Sequence, residues 1–429
     1  MTWNSMCAPC HTTRFEKRYD FATDSYDSSW LELGVGCEAC HGPSLAHAVA
    51  MEEAGRTEPV VIEPSSLWDP RRFRERIGDL SLPVSAGGGG GDAAGDSEDS
   101  SASKAATSSS AEGDGGARTS SPATTATNLP PRIDPDRIVD TCGACHARRA
   151  DLTGDFVAGD LFLDHFRPDI PDHSDTFYAD GQVREEDYEH ASFLSSRMYS
   201  LGVRCVHCHE PHSGKLRLEG DALCMSCHEG RIDRESHAHH PLDGPGGRCV
   251  DCHMPVTVYM ERDPRRDHGF TIPDPLLTRE HGIPNACGRC HADQDDDWAI
   301  RHVEEWYGER MERPARERTR VFARSKELDE AIVPELVELA KSESSPFWRA
   351  VATGLLSPWA HREDVSRWLI TASEDFDALT RSRAARAMEA ALSGAAGMPP
   401  RAVIERYLAR LVELLEDPIR AVRLEAAWG

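Results

Sequence analysis

Fourteen cysteines constrain this chain more than any other feature, because they occur only as seven Cys-x-x-Cys pairs: Cys7/Cys10, Cys37/Cys40, Cys142/Cys145, Cys205/Cys208, Cys224/Cys227, Cys249/Cys252 and Cys287/Cys290. Each pair is followed directly by a histidine: His11, His41, His146, His209, His228, His253 and His291. C-x-x-C-H is the attachment site of a c-type haem. The two thiols add across the porphyrin vinyl groups and the histidine becomes an axial iron ligand. No cysteine is left for a disulfide, a zinc site or a nucleophile. Zinc ribbons use two pairs per tetrahedral metal, which would strand the seventh pair, and they need no adjacent histidine. A thioredoxin-like dithiol would be one pair in a βαβ setting. The expected cofactor complement is therefore seven c-type haems. Three of the seven motifs crowd between Cys205 and His253, which leaves little chain for a protein core; the interior there is expected to be largely porphyrin.

The rest of the composition narrows the setting. The chain has 429 residues and a formal charge of −25, with a pI near 5.2 and a mean hydropathy of −0.52. Such acidity argues against nucleic acid, whose phosphates need a basic face, and suits docking to basic redox partners. No run of eighteen apolar residues is present, so no transmembrane segment is expected. Haem attachment of this kind implies a periplasmic or otherwise extracytoplasmic location. Met1–Met6 has neither a charged n-region nor an apolar h-region, and the chain ends at Trp428-Gly429 inside a helical pattern. The sequence is accordingly expected to be a fragment of a longer one.

Along the chain, residues 1–84 form the first part of a multihaem domain, with two motifs. Residues 85–128 collapse to Gly, Ala, Ser, Thr and Asp, a composition that cannot offset its ordering entropy, and read as a disordered insertion. Residues 129–308 carry the other five motifs, separated by short intervals rich in Gly, Pro, Asp and His. Short helices and loops are expected there, with helices around Glu185–Tyr199 and Asp296–Tyr307. From 309 to 429 cysteine vanishes and helical periodicity takes over. Apolar stripes run through Val333, Leu336, Val337 and Leu339-Ala340, through Phe347, Ala350, Val351, Gly354 and Leu355, and through Ile404, Leu408, Leu411, Val412 and Leu415. Helices separated by brief Pro or Gly breaks predict stacked helical hairpins, and Glu416–Gly429 resembles the second helix of a HEAT repeat. The expected fold is a multihaem cytochrome c of loops and short helices around stacked haems, followed by an all-α HEAT-like solenoid; an unrelated helical bundle is the alternative.

The phrases WNSMCAPCHTT, GVGCEACHGPSLAH, YADGQV, SFLSSRMYSLGVRCVHCHEPHSGKLRLEGDALCMSCH, CVDCHMPVTVYMERDPRRDHGF and PNACGRCHAD resemble a group of bacterial multihaem cytochromes c. These are related to the tetrahaem electron-transfer cytochrome of ammonia oxidisers and to cytochromes with paired C-x-x-C-H motifs, and often carry HEAT or tetratricopeptide regions. The resemblance implies a further upstream haem motif. The low-complexity insertion departs from the pattern. So does His190, which stands where an aromatic residue is usual.

The seven motif histidines leave thirteen others among the 20 in the chain, and a low-potential conduit needs a second histidine on most irons, since methionine raises the potential. The resemblance implies that His47, His212, His268 and either His239 or His240 are distal ligands. His165 is a further candidate, or a propionate partner. His237, His173 and His281 rank below these, and His207 is held inside its own C-x-x-C loop. His302 and His361 read as helix-surface residues, and Met254 as packing on a porphyrin. Arg204, Arg248, Arg265, Arg266 and Arg289 lie close enough to motifs to grip haem propionates, or are solvated surface charges.

Three functional readings follow. One is electron transfer along the haem array, with other redox proteins docking through the helical repeats. The alternative is a multihaem oxidoreductase acting on a small nitrogen or sulfur compound (nitrite, hydroxylamine, sulfite or tetrathionate) at one open-coordinate haem, with His190, Tyr188, Tyr178 and Arg184 around it. A scaffold dominated by the solenoid is a third, weaker reading.

Overall fold

The computed structural model describes residues 3–42, 137–173, 175–185, 188–259, 261–394 and 398–428. His47 and the 85–128 segment lie outside the described residues. The described residues all belong to one compact unit formed by Met1–Ala48 and Arg132–Gly429.

Short helices run through this segment, seven of them carrying the motifs: α1 (Ala8–His11), α2 (Cys37–His41), α3 (Arg137–His146), α5 (Cys205–Cys208), α6 (Ala222–His228), α8 (Cys249–His253) and α10 (Ala286–Cys290), with α4 (Glu189–Ser195), α7 (Arg234–Ala238), α9 (Pro275–His281) and α11 (Asp296–Tyr307) between and after them. One turn is enough to bring two cysteines three residues apart onto the same face, and without a longer apolar face most of these helices have nothing to propagate them. α11 has such a face and runs three turns. Asp295 caps it, its carboxylate accepting from Trp298 N at 2.8 Å, and it stops at Gly308, φ 50°. The helix expected around Glu185–Tyr199 is broken instead. Ser196 adopts an extended conformation, ψ 147°, and its Oγ accepts from Tyr199 N at 3.0 Å to start the separate turn Arg197–Ser200. Its hydroxyl competes with the helical ladder for backbone donors.

Five two-stranded antiparallel pairs punctuate these helices among the described residues. The longest joins Val256–Tyr259 to Asp263–Arg266, with Val256 opposite Arg266 and Tyr259 opposite Asp263.

Beyond Gly308 the chain is all helix: α12 (Pro314–Lys326), α13 (Val333–Ser342), α14 (Pro346–Leu355), α15 (Glu363–Ala372), α16 (Ala378–Leu392), α17 (Arg401–Leu414) and α18 (Arg420–Ala427). Proline in the first turn of α12, α13 and α14 starts each helix where its missing N–H costs nothing. α12, α14, α16 and α18 pack each on the next, and so do α13, α15 and α17. An ion-pair ladder repeats along this stack. Arg318 Nη1 reaches Glu343 Oε2 at 3.2 Å, Arg349 grips Asp375 through two bonds of 2.6 and 3.0 Å, and Arg381 grips Asp417 at 2.8 and 3.0 Å. Each acid precedes the next helix of the row, at Pro346, Ala378 and Arg420.

Two of the expected stripes are buried: Val333, Leu336, Val337 and Ala340, and Phe347, Ala350, Val351, Gly354 and Leu355. The third is rotated. α17 buries Val403, Tyr407, Leu411 and Leu414, while Leu408, Val412 and Leu415 are exposed. The helix is apolar on two adjoining faces, and Tyr407 decides between them: fully buried, its Oη donates to Ala360 O at 2.7 Å.

The helical region and the motif segment share one apolar cluster, to which Ile170, Ala179, Leu277 and Ile283 contribute from the motif side. Polar groups close the seam. Trp348 Nε1 donates to Ser195 O at 2.9 Å, and buried Arg383 donates to Pro168 O at 2.9 Å with Asp172 beside it at 3.1 Å. The Arg316 guanidinium takes both oxygens of Asp274, at 2.8 and 3.0 Å. In contrast, between Phe193 and Leu277 the only buried apolar side chains among the described residues are the prolines Pro255 and Pro275. The three-motif stretch has no polypeptide core of its own.

Candidate haem site

The motif helices place their side chains in two recurring relations. In the first, thiols of different motifs meet. Cys10 Sγ lies 3.8 Å from Cys145 O, and a side-chain hydrogen bond with the Cys145 thiol holds the Cys10 thiol down to about 7 and pushes that of Cys145 up. The other cysteine of α3, Cys142, shares a hydrogen bond with Cys205 of α5 that pushes the Cys142 thiol up and the Cys205 thiol down. Cys224 and Cys249 also bond, which lowers the Cys224 thiol, but burial outweighs it and raises both thiols, Cys249 to about 12. Motifs adjacent in the fold thus present their attachment atoms to one another.

The half-buried Sγ of Cys227 lies 3.8 Å from the hydroxyl of its chain neighbour, Ser226 Oγ, in hydrogen-bonding geometry. The contact is a weak one. A hydroxyl has one hydrogen to give, and Leu223 O, 2.7 Å from the same Oγ, is the closer and better acceptor. Thioether sulfur keeps its lone pairs, so the contact is compatible with attachment at Cys227. The thiol also helps, after burial, to raise the pKa of Cys208 in the preceding motif, so Cys227 too faces a neighbouring attachment site.

In the second relation, a motif histidine faces a histidine from elsewhere. The ring centres of His41 and His212 are 6.1 Å apart, those of His209 and His268 6.3 Å, those of His253 and His237 5.9 Å, and those of His291 and His240 6.1 Å. Two imidazoles on opposite sides of one metal ion have ring centres roughly 6 Å apart, from two metal–nitrogen bonds of about 2 Å and about 1 Å from each nitrogen to its ring centre. These separations are longer than a hydrogen-bonded pair of imidazoles and match two rings on opposite sides of one iron. Three of the rings are oriented by Nδ1: His253 toward Thr271 O at 2.8 Å, His268 toward Arg266 O at 2.9 Å and His240 toward Ala238 O at 2.8 Å. That leaves Nε2 as the coordinating atom. Burial lowers the imidazole pKa of His209, His253, His237 and His268, which favours the neutral ring a metal needs. Paired thiols, paired imidazoles and a coreless segment fit covalently attached haem. Among the described residues no three His, Cys, Asp or Glu side chains converge as a metal-ion cage.

The candidates divide accordingly. His212, His240 and His268 are each brought to a motif histidine. His237, which the sequence ranked lower, is as well; its exposed place at the end of α7 left no periodic signal. His239 is not: its ring lies flat on Trp306, 4.0 Å between centres and 4° between planes. His165 is not: its Nδ1 meets Thr153 Oγ1 at 2.5 Å and its Nε2 lies 3.2 Å from Asp160 Oδ2, so both nitrogens are engaged. His173 hydrogen-bonds Gly354 O at 2.7 Å. His207 Nδ1 accepts from Arg204 N at 2.9 Å within its own motif turn. Among the described residues His11, His146 and His228 face no second imidazole; His146 Nδ1 instead meets Glu189 Oε2 at 3.3 Å, a bond that raises its pKa.

The arginines near the motifs have protein partners. Arg204 donates to Val203 O at 2.9 Å, Arg248 to Asp251 at 2.7 Å, Arg265 to Asp263 at 2.9 Å, Arg266 to Val250 O and Met254 O at 3.1 Å and Arg289 to Val256 O at 2.7 Å. The four residues considered for an open haem have contacts of their own within the protein. Tyr188 Oη bonds Tyr259 Oη at 2.7 Å, whereas His190 is buried against Phe162, with ring centres 4.8 Å apart. Both His190 nitrogens lack a hydrogen-bond partner, and burial lowers its pKa to about 4. Arg184 sits over the Tyr178 ring at 5.7 Å.

Residues 1–42, which hold the first two motifs, match the family described as cytochrome c554 and c-prime. No curated protein matches the chain. The crystal structure of the outer cell wall cytochrome OcwA aligns over 91% of this chain and 76% of its own, at 14% identity and a TM-score of 0.40, too low for that likeness to carry an argument. The motif chemistry, the paired imidazoles and the family match over the first two motifs together support a multihaem cytochrome c.

Proposed function

We propose that this chain is an electron-transfer cytochrome that holds seven c-type haems, one at each C-x-x-C-H motif, and works outside the cytoplasm. The observation that carries the reading is the set of four imidazole pairs at 5.9 to 6.3 Å. Two histidines on an iron saturate its axial positions and favour electron transfer over substrate binding. When bound, the haems supply the one-electron couple; the chain fixes their spacing, ligation and burial. The meetings of Cys10 with Cys145, Cys142 with Cys205 and Cys224 with Cys249 support short steps between neighbouring groups. The recurring Arg–acid ladder and the two helical rows support a HEAT-like solenoid that would present a partner-docking face. No helix among the described residues is long and apolar enough to cross a membrane.

Electron paramagnetic resonance of the oxidised, haem-loaded protein tests the proposal. Low-spin ferric signals from the histidine-paired haems, unmoved by nitrite, hydroxylamine or cyanide, are expected. A high-spin ferric haem that binds these molecules would overturn the pure conduit in favour of a multihaem oxidoreductase.

A further inference from the structure

α11 has two faces with different uses. Ala299, Ile300 and Val303 are buried, and the helix packs on α9. Around the other face, Trp298, His302 and Trp306 follow at four-residue spacing, so their rings line up along the axis. Centre-to-centre distances are 4.5 Å from Trp298 to His302 and 5.4 Å from His302 to Trp306. At one end of this row Trp298 meets the motif histidine His291, 4.7 Å away. At the other end Trp306 stacks on His239.

His239 is the middle of the turn that follows α7. Its backbone is left-handed, φ 53°, a conformation that non-glycine residues hold only when their surroundings impose it. Reversal at this residue lets the flanking side chains diverge: His237 faces His253, and His240 faces His291. The neighbouring Tyr307 holds the same turn from the side. Its Oη donates to His237 O at 2.9 Å, and its ring lies edge-on to His239 at 5.6 Å. Gly246 supports the His240 side, since a Cβ there would come within 2.8 Å of the His240 ring.

We propose that α11 is a positioning element for two neighbouring haems at once, with Trp306 and Tyr307 clamping the His237–His240 turn so that its two outer histidines serve different irons. In this arrangement His239 is the gripped ring and binds no iron. The inference rests on the reading of the two imidazole pairs as axial ligands. It adds a coupling: the second ligands of the His253 and His291 haems come from one four-residue turn held by one helix, so a disturbance of the clamp reaches both.

The test uses the full, haem-loaded chain with covalent haem content checked for every variant. His237→Ala and His240→Ala should each convert one low-spin ferric signal to high-spin; if neither does, the ligand reading itself fails. Trp306→Leu should perturb those same two signals and no others, Trp306→Phe should restore them, and His239→Leu should behave like Trp306→Leu. Tyr307→Phe removes only the bond to His237 O and should shift the His253 signal while sparing that of His291. Intact signals in Trp306→Leu and Tyr307→Phe, alongside high-spin conversion in the histidine variants, would overturn the clamp while leaving the ligands standing. Should Trp306→Leu lose haem, the selective shift in Tyr307→Phe decides alone, its presence supporting the clamp and its absence overturning it.

Discussion

At the scale of single residues, the motif histidines differ in what holds their outer nitrogen. His253 Nδ1 faces a neutral carbonyl, Thr271 O, whereas His146 Nδ1 faces the carboxylate of Glu189. A carboxylate partner makes an imidazole a stronger donor and so stabilises ferric over ferrous iron. Glu189→Gln is therefore expected to raise the midpoint potential of one haem and leave the others in place, as read by spectroelectrochemical titration; an unchanged set of potentials would sink this role for Glu189. The seven C-x-x-C-H motifs were legible from spacing alone because each is a local pattern. The imidazoles that face them were legible only in part. His239 and His240 are adjacent and chemically equal in the sequence, and the left-handed backbone at His239 separates their roles.

Among the elements, α17 shows how little periodicity decides when two faces are apolar. Tyr407 is the discriminating residue, since a buried phenol must find an acceptor and Ala360 O supplies it. Burial raises the Tyr407 phenol from 10.0 to about 12. A pKa raised in the folded state gives stability that is complete below the unfolded value and is lost as the pH climbs through the folded one. The helical region should thus weaken between pH 10 and about 12. Tyr407→Phe should abolish that share of the alkaline loss, while at neutral pH it costs about 1 to 3 kcal/mol because Ala360 O is left unsatisfied. Urea denaturation across pH measures both. The split of the expected 185–199 helix at Ser196 has a similar origin, in a hydroxyl that captures Tyr199 N.

Across the whole molecule, the motif segment and the helices are braced against each other. Ile170, Ala179, Leu277 and Ile283 are covered by the helical cluster, and Arg383 crosses the seam to Pro168 O beside Asp172. Removing a buried cation from beside its carboxylate costs about 3 to 5 kcal/mol. Arg383→Leu should accordingly lower the midpoint of thermal unfolding without changing covalent haem content, whereas an unchanged midpoint would show that the seam contributes little.

The sequence by itself determined the seven motifs, because C-x-x-C-H places two thiols and an imidazole within one helical turn whatever surrounds them. It also determined where helices dominate, through composition and period. Only the tertiary structure decided which distant imidazoles meet, which face of α17 turns inward and how the helices brace the motif segment. Each of those depends on residues far apart in the chain, and no local spacing encodes that proximity. The fourteen cysteines mark the seven motifs; the fold chooses which groups face them.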